Sequence, residues 1–266
     1  MNRIFLFIAI PVFSILFSSC QQEEESIKQL SNNDGLLLAT LYVQQASEYK
    51  ALCYQAYNVG KFRLDEKLSK YEGDEKLAVV VDIDETVLDN SPFSARSIIK
   101  NTDYPKYWNE WCHLAQAKSI PGALAFLKYA ESKGVETFYI SNRKAELTEV
   151  TLKNLQQNGF PFADSTHIML RTTTSDKKER RDKVKATHDI LLFFGDNLGD
   201  FLSDFDHQST KARTALTVDM LNDFGDDFIV LPNPTYGAWM SAMKKGLPKS
   251  ANSDSVYRAK LIDFID

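Results

Sequence analysis

Short apolar blocks recur along the chain and end abruptly in polar residues. LAVVV (77–81), IML (168–170), ILLFF (190–194) and FIVL (228–231) are such blocks, and VETFYI (135–140) is a fifth, less pure one. Runs of this length without polar alternation suit strands buried on both faces of a parallel sheet. Between them, residues 123–132 and 145–158 carry apolar positions at helical spacing. Pro121 stands near the start of the first, Gly134 closes it, and Gly159 closes the second. Upstream, Leu38, Leu41, Tyr42, Ala46, Tyr49, Leu52, Cys53 and Ala56 share one helical face. They predict one long helix over 36–57, broken at Gly60, with its aromatic stripe used for packing. The charged stretch 61–76 connects it to the first strand and has room for another short helix.

Strands alternating with helices predict an α/β fold, a doubly wound and mostly parallel sheet over 77–266, behind an N-terminal helical segment over 34–76. One stretch departs from that rhythm. Residues 91–118 hold Phe93, Tyr104, Tyr107, Trp108, Trp111 and His113, interrupted by Pro92 and Pro105. An insertion after a strand's carboxyl end overhangs whatever binds there, so this one is read as a small helical cap or lid. Most of its aromatics are expected to form the cap's own core. Trp108 is expected to touch substrate.

The polar residues that end the blocks carry the chemistry. LAVVV runs into Asp82, Asp84, Glu85, Thr86 and Asp89; the second strand into Ser141, Asn142 and Arg143; ILLFF into Asp196 and Asp200. In an open parallel sheet all three ends open on one rim, where ligands bind. Asp82 and Asp84, two residues apart, point to the same side of an extended chain. Several carboxylates gathered on a partly buried rim repel unless a cation lies among them. Hard oxygen ligands favour Mg²⁺. No CxxC or HxxxH pair suggests zinc.

Composition changes this picture little. The 266 residues are 44% hydrophobic and carry a net charge of −5, which gives no basic stripe for a nucleic-acid polymer. The first twenty residues matter more. Arg3 precedes a mostly apolar run over 4–17, too short for a confident membrane span, then Ser18, Ser19 and Cys20. This resembles a bacterial lipoprotein signal that would leave Cys20 lipidated at the mature N-terminus. Phe17 stands where that pattern has an aliphatic residue, and an ordinary cleaved signal or short anchor stays open. Every version exports the domain. Residues 21–33 are polar, with Glu23, Glu24 and Glu25 together, and read as a flexible tether. That acidic run also resembles a lipoprotein surface-export signal.

VVDIDETVLDN resembles motif I of the haloacid dehalogenase superfamily, and FFGDNLGDF resembles its motif IV. Together with ALCYQAYN, QAKSIPGA, the SNR triplet and VLPNPTYG, they are similar to the class C acid phosphatases, a lipoprotein acid phosphatase and 5′-nucleotidase group. The resemblance spans most of the mature chain. It implies a haloacid dehalogenase-like core and an exported, outer-membrane, Mg²⁺-dependent hydrolase of phosphomonoesters such as nucleoside monophosphates. It implies Asp82 as the nucleophile that becomes an aspartyl-phosphate and Asp84 as general acid, then base. It implies Ser141 and a lysine as phosphate ligands; Lys177 fits the spacing to Arg180 and Arg181, and Lys178 is the alternative. The implied metal set is Asp82, the Asp84 backbone carbonyl, Asp196 and Asp200. Tyr236, with Trp108, would sandwich a nucleobase.

Other outcomes stay open at this stage. The chain could be an inactive binding or storage protein on this fold, as related plant storage proteins lacking the nucleophile are, or another phosphatase of the superfamily. Expected partners are small phosphomonoesters and a membrane through the lipid anchor; a homodimer stays open. Cys53 and Cys112 either pair, as an exported compartment allows, or remain buried thiols.

Overall fold

The computed structural model describes residues 32–248 and 251–263. The leader, Cys20 and nearly all of the tether lie outside the described residues. Two helices come first, α1 (Asn32–Gln45) and α2 (Ser47–Lys70). The expected single helix over 36–57, broken at Gly60, is therefore corrected at two points. It breaks at Ala46, whose extended backbone (φ −74°, ψ 129°) redirects the chain, and it runs on through Gly60 to Lys70. The buried face of α2 is Tyr49, Cys53, Tyr57, Gly60 and Leu64, spaced three or four residues apart.

Gly60 is a point of close approach rather than a breaker. A Cβ there would lie 2.4 Å from Cζ of Phe194, a ring that also stacks on Tyr57 at 5.3 Å. The helix gives up some propensity at this glycine so that it can seat on the sheet. Gly60→Val is expected to lower stability by about 3 kcal/mol, the upper range for overpacking a filled core. A urea melt reads this as a lower midpoint at unchanged slope.

The strands are β1 (Lys76–Val81), β2 (Leu88–Asp89), β3 (Lys118–Ser119), β4 (Glu136–Lys144), β5 (Ile168–Arg171), β6 (His188–Gly195) and β7 (Phe228–Val230). Five of them form a parallel sheet in the order β5-β4-β1-β6-β7. β1 is central, and its side chains divide between two cores. Val79 and Val81 join the larger one with Tyr139, Leu192 and Phe194. Ala78 and Val80 join the smaller one with Phe138, Ile140 and Val184. This two-sided burial is why the strand reads as an unbroken apolar run.

The remaining helices are α3 (Ser91–Lys100), α4 (Trp108–Leu114), α5 (Ala123–Ser132), α6 (Thr148–Asn158), α7 (Lys178–Lys185), α8 (Thr210–Asp219), α9 (Ala238–Met243) and α10 (Ser253–Arg258). The insertion forms α3 and α4. Its ends are pinched together by the antiparallel ribbon of β2 and β3, with Leu88 opposite Ser119 and Asp89 opposite Lys118. One further expectation changes. β4 continues through Ser141, Asn142 and Arg143, with a register shift against β5 between Ser141 and Lys144. The polar segment 171–185 holds α7, which buries Arg180, Arg181 and Val184. Cys53 and Cys112 are both buried free thiols.

Candidate active site

The chain visits β1, β4 and β5 on one side, then crosses to β6 and β7 on the other. The order reverses at β1, and a crevice opens there beyond the carboxyl ends of the strands. Asp82 follows β1 directly, its N–H bonded to the carbonyl of Phe194 in β6 at 2.9 Å. Asp196 and Asp200 lie on the turn after β6. Oxygen atoms of Asp82, Asp196 and Asp200 all fall within 4.8 Å of one another. Gly195 makes this possible, since a Cβ there would meet Oδ2 of Asp200 at 2.5 Å. Asn197 completes the turn, donating its N–H to that same oxygen at 3.0 Å.

Lys177 enters this cluster from the residue before α7. Its ammonium bonds Oδ1 of Asp82 and lies 2.7 Å from Oδ1 of Asp200. Its side chain is 4% exposed. Lys178 is 65% exposed and pairs with Asp182 at 2.6 Å. Of the two candidate lysines, only Lys177 reaches the carboxylates. Two arginines on α7 fix its place. Arg180 donates to the Ser141 carbonyl at 2.6 Å and to Oδ1 of Asn142 at 2.8 Å. Arg181 donates to the carbonyls of Gly199 and Asp200 at 3.1 and 3.0 Å. The helix is thus tied to the ends of β4 and β6 at once.

The electrostatics are short of positive charge. Burial pushes the Asp82 carboxyl up to about 7, against the pull of Lys177. Burial, then repulsion from Asp200 and Asp82, holds Asp196 well above the carboxylate range. Lys177 is disfavoured by burial, but Asp200 and Asp82 outweigh that and raise it above the usual lysine value. Three carboxylates share one ammonium, and all the donors are hard oxygens. The cluster therefore fits a divalent cation.

Asp84 stands apart from that cluster. Arg143 grips its carboxylate with Nη2 at 2.7 Å and Nε at 2.9 Å from Oδ1. Asn90 donates to the same oxygen at 2.8 Å, and Ser141 Oγ lies 3.3 Å from Oδ2. Asn90 is itself held by the Trp111 indole at 2.8 Å. The cap thereby reaches Asp84 through two residues.

Ser141 is fully buried beside Asp84. Trp108 meets Phe93 edge-on at 5.1 Å, and the Arg143 guanidinium lies 5.5 Å over its ring. The Tyr236 hydroxyl donates to the Glu85 carboxyl. Trp108 and Tyr236 line a cavity of about 460 Å³ that also exposes Asp82, Asp84 and Lys177.

Glu85, Asn90 and Trp111 carry site architecture that local pattern did not reveal. Glu85 is buried, at a left-handed φ of 58°, and accepts the Asn90 N–H at 2.9 Å. Burial, then the charges of Asp84 and Asp196, push its carboxyl well above the usual range. The positive φ and the burial are tertiary facts, with no spacing signal in the sequence.

Comparisons with known proteins converge on this fold. The chain is 44% identical to the class C acid phosphatase of Bacillus anthracis, in a structure with tungstate bound, with a TM-score of 0.85 over 88% of this chain and 100% of that one. A second structure of the same enzyme gives 0.84 at the same identity and coverage. Vegetative storage proteins 1 and 2 of Arabidopsis thaliana are 30% and 27% identical over 137 and 134 residues. The chain spans about half the length of these plant relatives, 49% and 50%. The family described as HAD superfamily, subfamily IIIB (Acid phosphatase), matches residues 21–239, and the chain belongs to it.

Proposed function

We propose that this chain is an exported, Mg²⁺-dependent hydrolase of small phosphomonoesters, nucleoside monophosphates among them. The observation that carries the reading is the convergence on one point of Asp82 from the end of β1, Asp196 and Asp200 from the turn after β6, and Lys177 from the residue before α7. Asp82 attacks phosphorus. An Oδ–P bond forms as the bond to the leaving oxygen breaks, and Asp82 becomes an aspartyl-phosphate. Asp84 gives its proton to the departing alcohol. It then takes one from water, whose oxygen displaces the Asp82 carboxylate and frees phosphate. Lys177 and Ser141 hold the phosphoryl oxygens, and Arg143 keeps Asp84 in position.

Asp82, Asp196, Asp200 and the Asp84 backbone carbonyl would hold Mg²⁺, which supplies positive charge against the phosphoryl oxygens. Trp108 and Tyr236 flank the leaving group. The N-terminal pattern supports export and a lipid anchor at Cys20, with the outer membrane as its place. Among the described residues no helix is long and apolar enough to cross a membrane.

The test is a turnover profile of the chain lacking residues 1–20 over a panel of phosphomonoesters, with Mg²⁺ and with EDTA. Expected is hydrolysis of nucleoside monophosphates that falls about a hundredfold or more in EDTA and returns with added Mg²⁺. The storage role named for the plant relatives predicts no turnover in either arm. Full activity in EDTA would remove the metal from the reading.

A further inference from the structure

α4 carries two tryptophans one turn apart, and they meet different partners. Trp108 lines the active-site cavity, with the Arg143 guanidinium 5.5 Å over its ring. Trp111 is half-buried, packs against the larger core, and donates its indole N–H to Oδ1 of Asn90 at 2.8 Å. Arg143 and Asn90 both bond the Asp84 carboxylate. One short helix of the cap thus touches two of the residues that hold Asp84.

Asn90 is 1% exposed, and each of its side-chain contacts has a fixed sense. Its Oδ1 faces two groups that can only donate, the Trp111 indole and Arg143 Nη2 at 3.3 Å. Its Nδ2 faces carboxylates, Asp84 Oδ1 at 2.8 Å and Glu85 Oε2 at 3.4 Å. The reversed amide would set its oxygen against two carboxylates and its N–H groups against two donors. The indole makes the shorter of the two bonds to Oδ1. Without it, only the long bond to Arg143 keeps the amide from swinging.

We propose that Trp111 is a positioning residue for the general acid: its indole N–H sets the Asn90 amide so that Nδ2 fixes the Asp84 carboxylate where it delivers its proton. This rests on the phosphatase reading above and adds the part the cap plays in it. Trp111 does not line the cavity, so it acts through Asn90 and not on the substrate. The helix that flanks the leaving group with Trp108 therefore also orients the group that protonates it.

Two substitutions separate the donor from the bulk. Trp111→Phe keeps an aromatic ring and loses the N–H. In Trp111→His the imidazole overlays the five-membered ring of the indole, and Nε2 falls where the indole nitrogen stood; the donor stays and the benzo ring is lost. The quantity read, in the Mg²⁺-loaded chain, is kcat/KM for glycerol 1-phosphate divided by that for p-nitrophenyl phosphate. An alkoxide needs a proton to leave and p-nitrophenolate does not, and a general loss of folded enzyme cancels in the ratio. Trp111→Phe should lower the ratio about fivefold, through kcat more than KM. Trp111→His, although it disturbs packing more, should stay within about twofold of wild type. Asn90→Leu should lower the ratio at least as far as Trp111→Phe, and combining the two should lower it no further, because both break one link. A ratio near wild type in Trp111→Phe or in Asn90→Leu, or a fall in Trp111→His as deep as in Trp111→Phe, overturns the positioning role and leaves the phosphatase standing. No turnover of either ester by the unsubstituted chain overturns both.

Discussion

Asp82→Asn should lower p-nitrophenyl phosphate turnover by ~10⁴-fold or more while leaving the fold intact. The amide keeps the shape of the carboxylate but removes the attacking oxygen's charge. No neighbour can replace it. Asp196 and Asp200 share its cluster, but both lie on the turn after β6, and Lys177 spans only Asp82 and Asp200. Asp84 is turned toward Arg143 and Asn90. Stability should move little. Asp82 is a buried carboxylate among other carboxylates, and its charged form is disfavoured there, with only Lys177 in its favour. Neutralising it relieves repulsion as well as removing an ion pair, and Lys177 keeps Asp200 at 2.7 Å. A melt in EDTA should therefore match wild type or exceed it. Turnover within about tenfold of wild type, measured on protein with a normal melt, would remove Asp82 as nucleophile.

The strand that presents Asp82 was legible because two local rules agree there. An unbroken valine run means burial on both faces, and Ala78, Val79, Val80 and Val81 do alternate between the two cores. Acidic residues at the carboxyl end of such a strand point to the ligand rim. Gly60 was misread for a physical reason. A glycine in a helical pattern signals either a break or a close contact, and only the Phe194 ring, 134 positions downstream, decides between them. α7 was hidden because its buried face is Arg180, Arg181 and Val184, which no apolar period reports. Those arginines satisfy carbonyls at the ends of β4 and β6, and that need exists only once the strands are side by side. The same holds for Asn90, whose partners Trp111 and Arg143 come from the cap and from β4. Sequence spacing located the carboxylates and the lysine that the structure gathers at the rim. The groups that orient them became visible only with the tertiary contacts.

Arg143 gives the sharpest test of that orienting layer. Its side chain is 1% exposed, and it meets Asp84 through two nitrogens, Thr151 at 3.3 Å and Asn90 at 3.3 Å. Arg143→Leu leaves the partly buried Asp84 without its cation, which should cost about 3 kcal/mol of stability. It should also cost ~10²–10³-fold in kcat, because a misplaced general acid no longer meets the departing oxygen. Arg143→Lys restores the charge but not the planar two-point grip, so it should recover part of each loss. Stability alone cannot separate positioning from scaffolding, but leaving-group dependence can. p-Nitrophenolate departs without a proton, whereas an alkoxide needs one from Asp84. If Arg143 positions that acid, Arg143→Leu should lose roughly tenfold more on an alkyl phosphate than on p-nitrophenyl phosphate. Equal losses on both esters would mean that Arg143 only holds the fold together and that the proton comes from elsewhere.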